Sequence, residues 1–236
     1  MAQMETTQSF DIGNDIQIDI LQIGSHAPVS IIWFACNQGD ETAEYEVARK
    51  MAAGGNYQFF FPDMLSAHFL SPTPSNIARV PTVEVAQVIN HIAETTSAAR
   101  VYLIGGARAA VPVLRGLSDN SVIAHTNKLH GALLITPRIN SKSPEPGAEP
   151  VYINAAGLSQ HPIFILEGER TPNRWALPHL SQALSASGSK VQYELIEGVR
   201  GYFYLRSDQT EQESEMTQKL DQIIDTSLHK LETMHP

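Results

Sequence analysis

Cysteine is nearly absent from this chain of 236 residues: Cys36 is the only one, so no internal disulfide and no multi-cysteine metal site can form. Long apolar runs are missing too. None approaches the ~18–20 residues that a membrane-spanning helix needs, which argues against such a span. Positive charge is scarce. Sixteen Lys and Arg face 25 Asp and Glu, a formal net charge of −9, and that balance argues against nucleic-acid backbones and anionic lipid as main partners. Charged residues make up 17% and hydrophobic residues 42%, the proportions of a globular rather than a disordered chain. Met1 to Ser9 has neither the basic start nor the apolar core of a signal peptide. Little lysine beside much Gln, Ser, Thr and Ala suits an exported bacterial protein. Periplasm or cell envelope is the expectation if a leader has been trimmed, and cytoplasm otherwise.

What is present is a regular alternation of strand and helix signals. Phe10 to Ile23 alternates apolar and polar residues around Gly13-Asn14-Asp15, the pattern of a half-buried antiparallel hairpin. Val29–Cys36, Tyr57–Phe61, Val101–Ile104, Gly131–Thr136, Pro162–Leu166 and Val191–Ile196 read as strands, several of them continuously apolar as in a sheet buried on both faces. Helical spacing marks 42–53, 82–95, the stretch after Ala107, 175–187 and a last helix with Met216, Leu220, Ile223, Ile224, Leu228 and Leu231 on one stripe. The fold class expected is α/β: a single-domain three-layer α/β/α sandwich, mostly parallel, with antiparallel strands at the N-terminus. Residues 1–9 read as a disordered or artificially added N-terminus and 10–236 as the domain. Pro112 is out of place inside the helix after Ala107.

The strand, tight turn and helix at 101–116 carry a resemblance. Gly105-Gly106-Ala107-Arg108-Ala109 has the small–X–nucleophile–X–small pattern of a nucleophile elbow, and the order of elements over roughly 10–233 resembles an α/β-hydrolase domain. Pro62-Asp63 and the loop from Trp33 to Gly39 are in the same family order. The resemblance implies a nucleophile at 107, an acid after the strand at 163–166 and a histidine after the last strand. Ala107 has no lone pair with which to attack. Thr171 falls in the acid slot and Gly201 in the histidine slot, and no histidine occurs between residues 180 and 228. The resemblance thus implies a catalytically degenerate member, a pseudo-hydrolase serving as a non-catalytic binding or protein-interaction domain.

Ligands of open α/β sheets bind at the carboxyl ends of the strands. The residues expected there are Arg108, Arg200, Asp63, Glu169, Trp175 and Tyr202, with Glu167 and Phe203 beside them. Arg108 and Arg200 would clamp a small anionic or carboxylate ligand by paired N–H donors, or else pair internally with Asp63 or Glu169. The alternatives are an enzyme built on Cys36, with His68 and Asp63, or on the Asp63/Glu169 carboxylates, and a structural domain of an exported assembly docking through the loops 64–81 and 137–160. Gly105-Gly106-Ala107 lacks the spacing of a dinucleotide fingerprint. His125 and His130 share no face, and no carboxylate–histidine cluster has metal spacing. Neither metal nor cofactor is expected.

Overall fold

The structure is a computed structural model and describes residues 5–35, 42–71, 73–77, 79–123, 127–145 and 147–234. Its first two strands, β1 (Glu5–Gly13) and β2 (Ile16–Ile23), form the expected hairpin. Asn14 and Asp15 both take positive φ, 55° and 60°, as a two-residue turn matched to the strand twist requires. β1 begins at Glu5, inside the segment read as disordered or added, because residues 5–9 pair with β2.

After the hairpin come β3 (Val29–Phe34), α1 (Thr42–Ala52), β4 (Tyr57–Pro62), α2 (Pro74–Ile77), α3 (Thr82–Thr95), β5 (Arg100–Gly106), α4 (Ala110–Leu117), α5 (Asn120–Ile123), β6 (Leu129–Ile135), β7 (Ile163–Gly168), α6 (Leu177–Leu184), β8 (Val191–Ile196), α7 (Glu211–Gln218) and α8 (Leu220–Met234). The strands form one sheet in the order β1-β2-β4-β3-β5-β6-β7-β8. β1/β2 and β2/β4 are antiparallel, and every later pairing is parallel.

Alternation along the strands divides the core in two. Ile32, Phe34, Leu103, Leu134, Ile163 and Ile165 face the helices α3, α4 and α6. Ile31, Trp33, Phe59, Tyr102, Ile104, Leu133, Phe164 and Leu166 face α1 and α8. This is the α/β/α sandwich that the continuous apolar strands implied. Among the described residues no helix is long and apolar enough to cross a membrane.

Three local expectations change. The last helix is two, broken at Lys219, and the buried stripe runs through Leu220, Ile224, Leu228, Leu231 and Met234 of α8. Pro112 lies in the first turn of α4, where a backbone N–H has no intrahelical acceptor to lose. The loops 64–81 and 137–160 contain short helical turns at Ser66–His68 and Asn154–Gly157. An isolated bridge also joins Asn140 to Tyr152.

Arg200 corrects a further expectation. It meets neither Asp63 nor Glu169. Its guanidinium donates to both oxygens of Glu213 (Nε to Oε1 2.8 Å, Nη2 to Oε2 2.6 Å) and to Asp208, and its backbone N–H also reaches Glu213 Oε1. Glu213 is fully buried and closes a capping box with Thr210 at the start of α7. The Arg200 guanidinium holds its carboxyl down at about 2, well below the ordinary carboxylate range. A lowered folded value means stability that is present above the unfolded value near 4.5 and lost as pH falls toward 2. Glu213→Ala should therefore cost about 3 kcal/mol at pH 7. Urea unfolding at a series of pH values checks this: the gap between variant and wild type should shrink as the buffer is taken from pH 4.5 toward 2.

Candidate functional site

β5 ends in a turn that admits no side chain on its first two residues. A Cβ on Gly105 would lie 2.7 Å from the Ala109 carbonyl oxygen and 2.8 Å from Val113 Cγ2. One on Gly106 would lie 2.0 Å from the Tyr204 hydroxyl, which itself donates to the buried carboxylate of Glu44. Ala107 then turns left-handed, with φ 51°. This is the elbow geometry that the glycine pair foreshadowed. The Ala107 carbonyl accepts the Arg138 N–H at 2.9 Å, which ties the end of β6 to the elbow.

The two other slots of the resemblance also meet. A Cβ on Gly201 would sit 3.6 Å from Thr171 Oγ1, an ordinary contact distance, so the loops after β7 and β8 come together as the element order requires. Thr171 caps the short turn Pro172–Ala176 by accepting the Asn173 N–H. Tyr202 is left-handed as well, with φ 60°. Its N–H donates to Thr136 Oγ1, and the Arg138 guanidinium lies 4.8 Å above its ring.

A cleft of about 550 Å³ opens beside the elbow at the carboxyl ends of β6 and β7. Arg108, Arg138, Asn140, Lys142, Tyr152, Glu167 and Asn173 line it. Arg108 anchors its rim by donating from Nη1 to the carbonyls of Arg138 and Asn140, both at 3.0 Å. Glu167 forms the floor. It is 1% exposed, and Oε1 accepts the Gly168 N–H at 2.9 Å. Burial raises its carboxyl to about 7 against the opposing pull of that N–H, of Arg138 and of the Asn173 side chain. A carboxyl in a cleft that titrates near neutrality can hold or release a proton at working pH.

The remaining sequence candidates are dispersed. Asp63, exposed after β4, accepts the N–H groups of Leu65 and Ser66 and lines a separate hollow with Phe34, Tyr45 and Leu65. Glu169 accepts the Gly198 N–H. β3, β5 and β6 lie between β4 and β7 in the sheet, a separation of roughly 19 Å at ordinary strand spacing, so Asp63 and Glu169 form no shared site. Trp175 is 76% exposed, with the Arg174 guanidinium 4.3 Å over its ring. His68 pairs with Glu84. Cys36 and His125 lie outside the described residues. Among those described, no group of three His, Cys, Asp or Glu could hold a metal ion.

No family model matches the chain, and no curated protein matches it in sequence. Solved structures do. A protein named as a dienelactone hydrolase, from Klebsiella pneumoniae subsp. pneumoniae, is 14% identical and superposes with a TM-score of 0.69 over 96% of this chain and 98% of its own. A serine-to-alanine mutant of LAE6, an alpha/beta hydrolase enzyme from the metagenome of Lake Arreo, Spain, is 14% identical with a TM-score of 0.66 over 96% and 83%. Thermogutta terrifontis esterase 2 is 10% identical with a TM-score of 0.65 over 95% and 94%. The chain has the α/β-hydrolase fold.

These neighbours correct the expectation of a non-catalytic binding domain. That reading rested on Ala107, Thr171 and Gly201 and on the lack of histidine between residues 180 and 228, whereas the proteins that share the fold are named as hydrolases and esterases.

Two measurements test the geometry. Gly106→Ala should destabilise by about 1–3 kcal/mol through overpacking, and by less in a Tyr204→Phe background, where the nearest atom is gone. A penalty of equal size in both backgrounds would refute the close approach. Glu167 has a raised folded value, so its contribution to stability is full below about 4.5 and lost as pH rises to about 7. Glu167→Gln should match wild type at pH 4.5 and exceed it by about 3 kcal/mol above pH 7, read from denaturant midpoints across that range. Parallel curves would show that Glu167 titrates normally.

Proposed function

We propose that this chain is a hydrolase acting on small anionic esters, with Glu167 activating water directly. The observation that carries the reading is the buried Glu167 carboxyl, raised to about 7 on the floor of the cleft. The fold is that of hydrolases, yet the elbow offers only the Ala107 methyl group, so a side-chain nucleophile has no place in the scheme. Water takes that role. Its oxygen adds to the ester carbonyl carbon while the Glu167 carboxylate accepts the proton. When the intermediate collapses, the C–O bond to the leaving alcohol breaks, and the departing oxygen takes that proton back.

The cleft supplies the electrostatics. Arg108, Arg138 and Lys142 line it, three cations on a chain whose formal net charge is −9. Negative charge on the substrate, and on the carbonyl oxygen during attack, is favoured at such a cluster. Arg108 is fixed by two backbone carbonyls, which leaves Arg138, exposed beside the Tyr202 ring, as the partner for a substrate carboxylate.

The test is hydrolysis of 4-nitrophenyl hemisuccinate. The expected kcat/KM rises with pH through a value near 7, because the base works deprotonated. Glu167→Gln should lower kcat/KM by about 10²–10⁴-fold, the usual contribution of a general base, and a fluorophosphonate should leave the protein unlabelled. Unchanged turnover in Glu167→Gln would sink the proposal.

A further inference from the structure

The cleft has a second compartment. A groove of about 450 Å³ adjoins it, lined by Glu149, Pro150, Val151, Tyr152, His179 and Ala183 among others. The two spaces share Pro150 and Tyr152, so the Tyr152 side chain stands at their junction. Backbone pairing holds it there. Asn140 bridges to Tyr152, the Ile153 N–H donates to the Ile139 carbonyl at 3.0 Å, and the Ser141 N–H donates to the Val151 carbonyl at 2.8 Å.

Two polar atoms at this junction have no hydrogen-bond partner among the described residues, although both are buried: the Tyr152 hydroxyl and His179 Nδ1. The rings that carry them lie 5.3 Å apart. His179 Nε2 faces Glu149 at 3.9 Å, too far for a hydrogen bond. A buried hydroxyl left unsatisfied costs on the order of 1–3 kcal/mol. Such a cost persists at a place where a ligand supplies the missing partner. Burial, reinforced by Glu149, raises the Tyr152 phenol above its ordinary value, so the group remains a proton donor across the neutral range.

We propose that Tyr152 and His179 form a subsite for an oxygen-bearing group on the non-reacting arm of the substrate, with the Tyr152 hydroxyl donating to that oxygen. The inference rests on the reading of the cleft as the hydrolytic site, and it adds a substrate class: esters with a second carbonyl or hydroxyl oxygen set beyond the bond that is cut. Val151, exposed at the wall of the groove, and Ala183 provide the apolar surface along which such an arm would lie.

The experiment uses Tyr152→Phe, which removes one oxygen and keeps the ring. In the free protein the variant should melt about 3 °C higher, since it deletes an unsatisfied buried group. Binding is followed by ligand-observed NMR with dimethyl succinate and with methyl hexanoate, which matches it in length and lacks the second ester group. Wild type should prefer dimethyl succinate by about fivefold or more, the worth of one neutral hydrogen bond, and the variant should show no preference. A fall in melting temperature would mean that the hydroxyl has a structural partner and would overturn the proposal. So would a preference that survives in Tyr152→Phe, or wild-type protein that binds neither ester or both alike. Glu167→Gln separates this inference from the catalytic one: it should keep the binding preference while turnover falls. If turnover instead persists in Glu167→Gln, the base assignment fails and the Tyr152 subsite is still decided by the binding data.

Discussion

Everything at the carboxyl edge of the sheet depends on how closely β5 approaches its neighbours. The space a Cβ would need at Gly105 is filled by the backbone of Ala109 and the side chain of Val113, and at Gly106 by the Tyr204 hydroxyl. At Ala107 the chain turns left-handed, at a cost of roughly 1 kcal/mol for a residue with a Cβ. The bond from the Arg138 N–H to the Ala107 carbonyl then draws the end of β6 against the turn. Arg108 closes the unit by donating back to the Arg138 and Asn140 carbonyls. One steric constraint thus sets two cations side by side at the mouth of the cleft.

The electrostatics of the site follow from desolvation more than from net charge. Most carboxylates of this acidic chain face water, where a Debye length of about 8 Å screens them at physiological ionic strength. Glu167 is different because the strands around it exclude solvent, and one backbone N–H with two polar neighbours does not compensate fully. Glu213 is as deeply buried, yet its carboxyl is pulled the other way because a guanidinium grips both oxygens. The same residue type is poised to titrate in one place, where desolvation dominates, and locked as an ion in the other, where the Arg200 guanidinium dominates.

Much of the architecture was legible in the residues. Continuous apolar stretches such as Val29–Phe34 gave buried parallel strands, and the alternation after Phe10 gave the hairpin at the sheet's edge. The elbow was legible as well, because a glycine pair before a small residue is the covalent record of a close approach. The site was only partly so. Arg108 and Glu167 fell where strand ends were expected, and both line the cleft. Arg200 was misjudged, because its partner Glu213 belongs to a helix that the apolar stripe of α8 had absorbed into itself. Arg138, shortly after β6, carried a signal that was passed over: a cation three residues beyond a central strand. Tyr152 carried none, since its place depends on a strap of loop folding back over Asn140.

The sequence by itself determined which segments become strands and helices, which of their faces are apolar, and where the backbone must turn too sharply for a side chain. Those properties are local, written in periodicity and residue size. Only the tertiary structure decided that Glu167 loses its water, that Arg200 is consumed by Glu213 and that the Tyr152 hydroxyl, beside His179, finds no partner among the described residues. Each of these depends on which distant loop comes to rest against a given atom and how much solvent it displaces. Hydration and pairing belong to the assembled surface, and no spacing along the chain encodes them.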